Sequence, residues 1–212
     1  MVRVLGRILL ALPALLLLSA APAPESNPAA AGGGVMVQGV VRAQGQPLPP
    51  DVVVYLEPTD SSVHFDVPKR RVRVSQKGAQ FSPALTVVCV GQTVDFVNDE
   101  DRPIEHNVFS NAANARFDLG LFPPGESRPV SFDQPGAVVL ACSIHKFMDG
   151  AVYVCPNPLF SRVDSDGAYR IDGVPPGQYT LKTWQRRRRF PEVSMTISVN
   201  GAMTQDLELR RK

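Results

Sequence analysis

Short runs rich in β-branched residues, separated by turn-forming residues, recur along this chain and limit the folds that it can adopt. The runs are VMVQGVV, DVVVYLE, ALTVVCV, TVDFVN, AVVLAC and GAVYVC. Clusters of Pro, Gly, Asn and Asp separate them and helical periodicity is nearly absent, which is typical of a β-sandwich or barrel. The 20 prolines and 16 glycines fit turns rather than disorder, because apolar runs are plentiful. We therefore predict an all-β chain.

The first 23 residues predict an export signal that is removed from the mature protein. Arg3 and Arg7 precede the apolar run ILLALPALLLLSAA, and small residues suited to cleavage near Ala21 or Ala23 follow it. The run is short and contains Pro, which favours a cleaved signal over the alternative, an uncleaved membrane anchor. No Cys lies near the cleavage region, which argues against a lipid anchor. We therefore expect a periplasmic or secreted protein, in a compartment where disulfides persist.

The charge balance gives no indication of a nucleic-acid partner. The chain has 22 basic and 20 acidic residues, and loss of the two leader arginines leaves equal numbers. The strongest local feature is the run Arg186 to Arg189, in a segment from residue 157 onward that holds 10 basic and 6 acidic residues. This run is a candidate docking surface for an acidic redox partner or an anionic membrane. The alternative is a solvated loop.

Segments near both ends of the chain look like parts of one module. Residues 35–57 predict two strands around a Gly/Pro turn, and residues 160–209 predict several more. Together they resemble a carboxypeptidase regulatory-like domain, which is a small transthyretin-like β-sandwich. The motifs that carry this resemblance are the hairpin DSDGAYRI and the turn and strand VPPGQYTL. Asp166 and Gly167 suit a tight hairpin, because Gly adopts a positive φ at little cost.

The simplest organisation is a discontinuous outer sandwich, residues 35–59 and 158–212, with a second domain inserted at residues 60–157. A flexible tether at residues 24–34, PESNPAAAGGG, precedes it. The alternative is two consecutive domains, in which the first strands belong to the middle one. Trp184 is expected to pack in the outer sandwich rather than to carry electrons.

The stretch CSIHKFM, directly after the apolar run GAVVLA, brings together three kinds of metal ligand. It holds Cys142, His145 and Met148, in a chain with three Cys, three His and five Met. His106, in EHNVFS, lies where a polar loop gives way to an apolar strand. Two His and one Cys with a distant Met form a known copper electron-transfer site, because thiolate and thioether hold Cu(I) while imidazoles accept Cu(II). The sequence therefore predicts a copper site.

The middle segment resembles the cupredoxins, the blue-copper proteins, and especially their amicyanin, pseudoazurin and plastocyanin branch. The likeness runs in order through FSPALTVVCVGQTVDFVN, EHNVFS, FPPGESRPVSFDQPG and CSIHKFMDGAVYV. It implies a Greek-key β-sandwich that holds one copper ion through His106, Cys142 and His145, with Met148 as the weak axial ligand. It also implies that the Asn107 side chain ties the two ligand loops together by hydrogen bonds.

The same resemblance implies that His145 is the electron port and exposes its ring edge within an apolar patch. Phe147 and Phe122 are the candidates for that patch. His64, in SSVHFDV, matches no ligand and is expected to be an ordinary loop or strand histidine.

These features predict an exported blue-copper protein that carries single electrons between redox partner proteins. The alternatives are a copper-handling protein without redox turnover and a surface interaction module built on the outer sandwich. A zinc site is less suited, because the thioether gives zinc little. An enzyme is not expected, because three His cannot build a trinuclear copper cluster and Lys146 stands where a binuclear centre would need a second Cys. The two-part architecture is similar to that of methylamine-utilisation proteins, although no residue points to methylamine.

The two cysteines outside the proposed site are candidates for a disulfide. If Cys142 is a copper ligand, Cys89 and Cys155 remain, and an exported protein rarely leaves two thiols idle. In the resembling cupredoxins the strands that end at these positions lie side by side and parallel, so the bridge is sterically feasible. The alternative is two separate buried thiols.

Overall fold

The computed structural model describes residues 33–211, and all regular structure within them is β-strand. The prediction of an all-β chain is confirmed. The predicted signal, residues 1–23, and residues 24–32 of the predicted tether lie outside the described residues. Within the part described, no helix is long and apolar enough to cross a membrane.

The strands follow one another along the whole described chain. They are β1 (Val35–Ala43), β2 (Val52–Pro58), β3 (Val72–Lys77), β4 (Gln80–Ser82), β5 (Leu85–Cys89), β6 (Thr93–Asn98), β7 (His106–Ala112), β8 (Ala115–Phe122), β9 (Ser127–Ser131), β10 (Gly136–Leu140), β11 (Gly150–Cys155), β12 (Phe160–Arg162), β13 (Ala168–Val174), β14 (Gly177–Gln185), β15 (Ser194–Val199), β16 (Met203–Thr204) and β17 (Leu207–Leu209).

Two sheets, which we call the outer sandwich, combine the first two strands with the strands from residue 160 onward. One sheet has the order β13-β1-β16, with β17 also pairing with β1, and the other has the order β12-β2-β14-β15. Val37 of β1 pairs with Ile171, and Leu56 of β2 pairs with Leu181. These four side chains lie in the core between the two sheets. This pairing is the one that the discontinuous arrangement requires, while the division of the chain into domains stays a prediction.

The segment DSDGAYRI is not the hairpin that the sequence predicts. It forms a tight turn, in which the Gly167 amide donates to the Asp164 carbonyl, but the flanking strands belong to different sheets because β12 pairs with β2 and β13 with β1. Gly167 has φ of +87°, and a Cβ at this position would lie 2.5 Å from the carbonyl oxygen of Val41. The glycine thus allows the turn to press against β1 and to carry the chain from one sheet to the other.

The remaining strands form what we call the inner sandwich. Its sheets have the orders β10-β11-β5 and β4-β3-β6-β9, and the pair β7-β8 completes it. Phe109 of β7 and Ala141 exchange two backbone hydrogen bonds of 3.0 Å, which attach β7 to the chain directly after β10. A separate apolar core lies inside this sandwich, and Phe96, Phe122 and Phe132 are among its fully buried members.

Strand β11 is buried on both faces because the two sandwiches pack against each other. Alternate residues of a strand point to opposite faces. Val152 and Val154 therefore lie in the core of the inner sandwich, whereas Tyr153 and Cys155 join a third cluster that includes Trp184 of β14. The Trp184 and Tyr153 rings are stacked, with centroids 4.2 Å apart and planes at 13°. A strand buried on both faces explains the uninterrupted apolar run GAVYVC.

We expect residues 60–157 to fold when they are expressed alone, because the inner sandwich has its own core. A fragment of residues 35–157 should be no more stable, since β1 and β2 would lack the strands with which they pair. Thermal unfolding followed by circular dichroism compares the two fragments. Folding is a better readout than solubility, because the shorter fragment exposes the outer face of β11. Folding of the longer fragment alone would assign the first strands to the inner sandwich.

Candidate metal centre

His106 begins β7 and is fully buried. One of its two ring nitrogens forms a hydrogen bond within the described residues and the other does not. Its Nε2 lies 2.9 Å from Oε1 of Glu100, whereas its buried Nδ1 has no hydrogen-bond partner in the described structure. The hydrogen bond with His106 is the leading influence that lowers the pKa of Glu100 below its ordinary value. An ionised carboxylate only accepts hydrogen bonds, so we infer that Nε2 carries the proton. The Nδ1 lone pair is then available to a metal ion.

The position of Glu100 follows from the loop between β6 and β7. Asn98, at the end of β6, is buried, and its Nδ2 donates to the carbonyls of Ile104 and Phe122, both at 2.9 Å. Oε1 of Glu100 also accepts from the amide of Gly78 at 2.7 Å. Sequence reasoning missed Glu100, because three consecutive acidic residues precede His106 and their pattern does not show which one turns inward.

Cys142 and His145 come from the loop that leaves the end of β10. Cys142 is buried and His145 is half-buried, and the Cys142 Sγ lies 3.7 Å from the His145 Nδ1. One ligand atom from each of His106, Cys142 and His145 lies within 4.8 Å of the others. The structure therefore brings together the two histidines and the thiol that the sequence singled out.

Asn107 joins strand β7 to the loop that carries Cys142. Its Oδ1 accepts a hydrogen bond of 3.0 Å from the amide of Ser143, and its Nδ2 donates to Oδ1 of Asp118 at 2.6 Å. Asn107 is itself buried, whereas Asp118 and Ser143 are exposed, so the two bonds lie at the edge of the interior. The contact has the geometry expected of a tie between the two ligand loops, and its effect on a bound metal stays a prediction.

Met148 is buried in the inner core, in the same cluster as Cys142. Its amide donates a hydrogen bond of 3.0 Å to the carbonyl of His145, which closes one turn of the loop. The loop thus directs Met148 toward the interior, on the side of the molecule where Cys142 is also buried.

Replacing Met148 by Leu should preserve copper binding and colour and should raise the reduction potential. Loss of a weak donor disfavours Cu(II) more than Cu(I). Leu has a similar volume, so the free energy of unfolding should fall by less than about 1.5 kcal/mol. Voltammetry of the copper-loaded variant measures the shift, and Met203→Leu in the outer sandwich is the matched control. Complete loss of copper from M148L would contradict the assignment of Met148 as an axial ligand.

The donor set fits a copper ion. It offers two imidazole nitrogens and a thiol, with the Met148 thioether buried in the same core as Cys142, and copper electron-transfer sites use this combination of residues. The buried Nδ1 of His106 has no partner, and leaving such a group unpaired costs free energy that a metal bond would offset.

Exposed apolar side chains occur in the loop of His145, but they differ from the predicted ones. Phe147 is 77 % exposed, as the port hypothesis requires. Phe122, the second candidate, is fully buried in the inner core with the Arg128 guanidinium 5.0 Å above its ring, so it contributes nothing to this surface. Ile144 is 50 % exposed instead. Ile144 lies inside the ligand loop, and loops generally run over the protein surface. This position could have predicted the exposure of Ile144 from the sequence.

Cys89 and Cys155 pair directly in the parallel register of β5 and β11, as the disulfide hypothesis requires. Residues paired in this way lie about 4.8 Å apart between strands, which a disulfide can span. Both are free thiols in this structure, so the bridge is not confirmed and stays a prediction. Burial raises the pKa of Cys89 to about 11 and also raises that of Cys155 well above its ordinary value. Because the thiolate is the reactive form, oxidation should be slow once the strands are packed.

Thiol titration of the denatured, unreduced apoprotein is expected to give one free thiol, that of Cys142. If the protein is exported as the sequence predicts, a bridge between Cys89 and Cys155 would persist in the oxidising compartment. The Cys142→Ser variant, which should give none, is the control. Three free thiols in the unsubstituted protein would show that Cys89 and Cys155 are separate buried thiols.

His64 lies in the loop between β2 and β3 and lines a cavity of about 400 Å³, away from the group of His106, Cys142 and His145. The cavity is also lined by Phe65, Cys89 and Pro156. This placement agrees with an ordinary loop histidine.

No protein-family model matches the chain, and no curated protein matches it. Solved structures similar to part of the chain include a Cu-containing nitrite reductase (NirK) from Thermus scotoductus, at 27 % identity and TM-score 0.39 over 46 % of this chain. The aligned part spans a quarter (25 %) of the reductase.

Two further similar structures are single small proteins. One is a novel purple cupredoxin from Nitrosopumilus maritimus, at 24 % identity and TM-score 0.35, covering 39 % of this chain and 98 % of that chain. The other is amicyanin from Paracoccus versutus, at 22 % identity and TM-score 0.36, covering 47 % of this chain and 97 % of that chain. The resemblance of the outer sandwich to carboxypeptidase regulatory-like domains is not confirmed and stays a prediction.

Proposed function

We propose that this protein is an exported blue-copper electron carrier, with one copper ion held by His106, Cys142 and His145 and Met148 as the axial ligand. The observation that carries the proposal is the convergence of three donor atoms within 4.8 Å, one of them a buried imidazole nitrogen without a partner. Copper, when bound, supplies the exchange of a single electron between Cu(I) and Cu(II).

The surrounding residues favour fast electron exchange because they hold the ligands in place. His106 is fixed by Glu100, and the loop after Cys142 is fixed by Asn107. Each hydrogen bond involves a buried side chain, His106 or Asn107, which limits its rearrangement. Side chains held in this way keep one geometry in both oxidation states, so little reorganisation accompanies electron transfer.

The half-buried His145 is the proposed electron port. It is the most exposed of the three proposed ligands, and its ring centroid is 6.4 Å from that of the exposed Phe147. An apolar surface at this point excludes water from a contact with another protein and lets the partner approach the ring edge. We expect the other proposed ligands, which are buried, to make no contact with the partner.

We also propose that the protein carries electrons rather than acts as an enzyme or a copper-delivery protein. After His106 and His145 are assigned, His64 is the one histidine left in the chain, which excludes a cluster of several histidine-bound copper ions. The burial of His106 and Cys142 argues against rapid release of a metal ion to an acceptor protein. An electron carrier needs neither a second copper cluster nor release of its metal ion, so this role fits both the histidine count and the burial of the ligands.

Protein-film voltammetry of the copper-loaded protein, together with electron self-exchange measured by NMR line broadening, tests the proposal. The expected result is a reversible one-electron couple and rapid self-exchange, both absent from Cys142→Ser. Tight copper binding without a reversible couple would overturn the electron-carrier assignment in favour of copper handling.

A further inference from the structure

The turn between β14 and β15 is anchored at both ends. At its start, the side chain of Arg186 is 13 % exposed, and its guanidinium lies 2.5 Å from Oδ1 of Asp149. The backbone amide of Arg186 also donates a hydrogen bond of 3.2 Å to the carbonyl of Asp51. At its far end, Phe190 is buried in the core of the outer sandwich, and its carbonyl accepts from Gln185 Nε2 at 3.2 Å. The three residues between these anchors are therefore held at the surface.

Those three residues are Arg187, Arg188 and Arg189, and all are exposed. No ion pair joins any of them to an acidic side chain in the described part of the chain. Glu192 is the acidic residue of the same turn, so the local charge remains positive. Arg186 differs from them, because Asp149 and Asp51 match its charge.

The ion pair of Arg186 places this turn beside the ligand loop. Asp149 directly follows Met148 and is two residues from Phe147. The same loop also exposes Ile144 and Lys146. Arg187 to Arg189 therefore directly follow, in the chain, a residue that contacts the ligand loop, and that loop exposes the apolar side chains Ile144 and Phe147. Apolar centres with polar or charged rims are typical of protein interfaces.

We propose that the turn of Arg187 to Arg189, with Lys146, is the cationic rim of a docking surface for an acidic electron-transfer protein. The inference rests on the proposed function, because it assumes that electrons pass at His145. Positive charge around the port would steer an acidic partner toward productive encounters and would speed association most at low ionic strength.

The chemistry of the surface favours a protein over an anionic membrane. Stable attachment of a soluble protein to a membrane surface generally needs an extended apolar face or a lipid chain in addition to basic residues. Here the apolar part consists of the two loop side chains Ile144 and Phe147, and no helix occurs among residues 33–211. Two such side chains suffice for the centre of a small, transient protein contact.

The test compares two variants of the copper-loaded protein that each lose three positive charges. R187Q/R188Q/R189Q removes the proposed rim, whereas R42Q/R210Q/R211Q removes exposed arginines on or next to β1 and β17, in the outermost sheet. Stopped-flow mixing follows oxidation by ferricyanide, in which Cu(I) becomes Cu(II) and each ferricyanide accepts one electron to become ferrocyanide. The same experiment is repeated with tris(phenanthroline)cobalt(III), an oxidant that is positively charged whereas ferricyanide is negatively charged.

At low ionic strength the rim variant should react with ferricyanide about tenfold more slowly than the unsubstituted protein, and the difference should vanish in high salt. It should react faster with the cobalt complex, and the remote variant should change either rate by less than about twofold. Equal ferricyanide rates for the two variants would overturn the inference.

Sedimentation with phosphatidylglycerol vesicles tests the alternative that the cationic rim binds an anionic membrane. Binding of the unsubstituted protein that is lost in the rim variant would assign the turn to a membrane and overturn the proposed protein partner. Absence of the visible copper band from all three proteins would instead overturn the proposed function, whereas a normal band with equal rates overturns this inference alone.

Discussion

Replacing Cys142 by Ser is expected to abolish the visible absorption band of the copper-loaded protein while the chain remains folded. The band of a blue-copper site arises from charge transfer between the thiolate sulfur and Cu(II), and a serine oxygen supplies no such transition. Cys142 is buried, so a hydroxyl in its place should lower the free energy of unfolding by about 1–3 kcal/mol. Visible absorption and thermal unfolding of the same samples separate the two effects.

Cys89→Ser is the matched control, because Cys89 is also a buried cysteine but lies outside the group of donor atoms. Its copper band should keep its position and intensity. A band that survives in C142S, or one that disappears in C89S, would show that the colour does not come from the thiol of Cys142.

Replacing Trp184 by Ala is expected to produce the largest loss of stability at the contact between the two sandwiches. The ring is 5 % exposed and is stacked on Tyr153, so the substitution removes buried apolar area and leaves a cavity. Truncations of this kind lower the free energy of unfolding by about 3–5 kcal/mol. Denaturant titration followed by far-ultraviolet circular dichroism measures the change. Tryptophan fluorescence is unsuitable, because the substitution removes the single Trp of the chain.

Phe147→Ala is the control for this substitution, because it also truncates an aromatic ring but at a side chain that is mostly in solvent. Its effect should stay within about 0.5 kcal/mol. Trp184→Phe should recover part of the loss by restoring a ring against Tyr153. Equal stability of W184A and F147A would mean that the contact between the sandwiches contributes little to folding.

The grouping of His106, Cys142 and His145 was predictable from the sequence because most of the candidate ligands are close together in the chain. Cys142, His145 and Met148 occupy one short loop, and the resemblance to the cupredoxins singles out His106 at the start of an apolar strand. The parallel pairing of β5 with β11 was predictable from the resemblance, since those strands carry its motifs.

Other features depend on contacts between distant segments and were not predictable. The burial of Phe122 depends on the packing of β8 across the inner core, which its sequence position beside a Pro-Gly turn does not reveal. The predicted hairpin around Gly167 is a turn between sheets because it presses on β1, more than a hundred residues earlier in the chain. The choice of Glu100 among neighbouring acids depends on the turn at Gly78.

The contact made by the outer face of strand β11 was also not predictable from the sequence. Its uninterrupted apolar sequence indicates burial on both faces but does not say what covers the second face. The structure supplies the answer in Tyr153, which stacks on Trp184 of the outer sandwich. The same contact explains why Trp184 packs between the two sandwiches rather than within the outer one.

Adding Cu(II) to the apoprotein and recording the visible spectrum shows whether His106, Cys142, His145 and Met148 form one blue-copper site, as we propose. We expect an intense thiolate-to-copper band that saturates at one copper ion per chain and is lost on reduction to Cu(I). Protein that binds one equivalent of copper at this site and stays colourless would contradict the proposal.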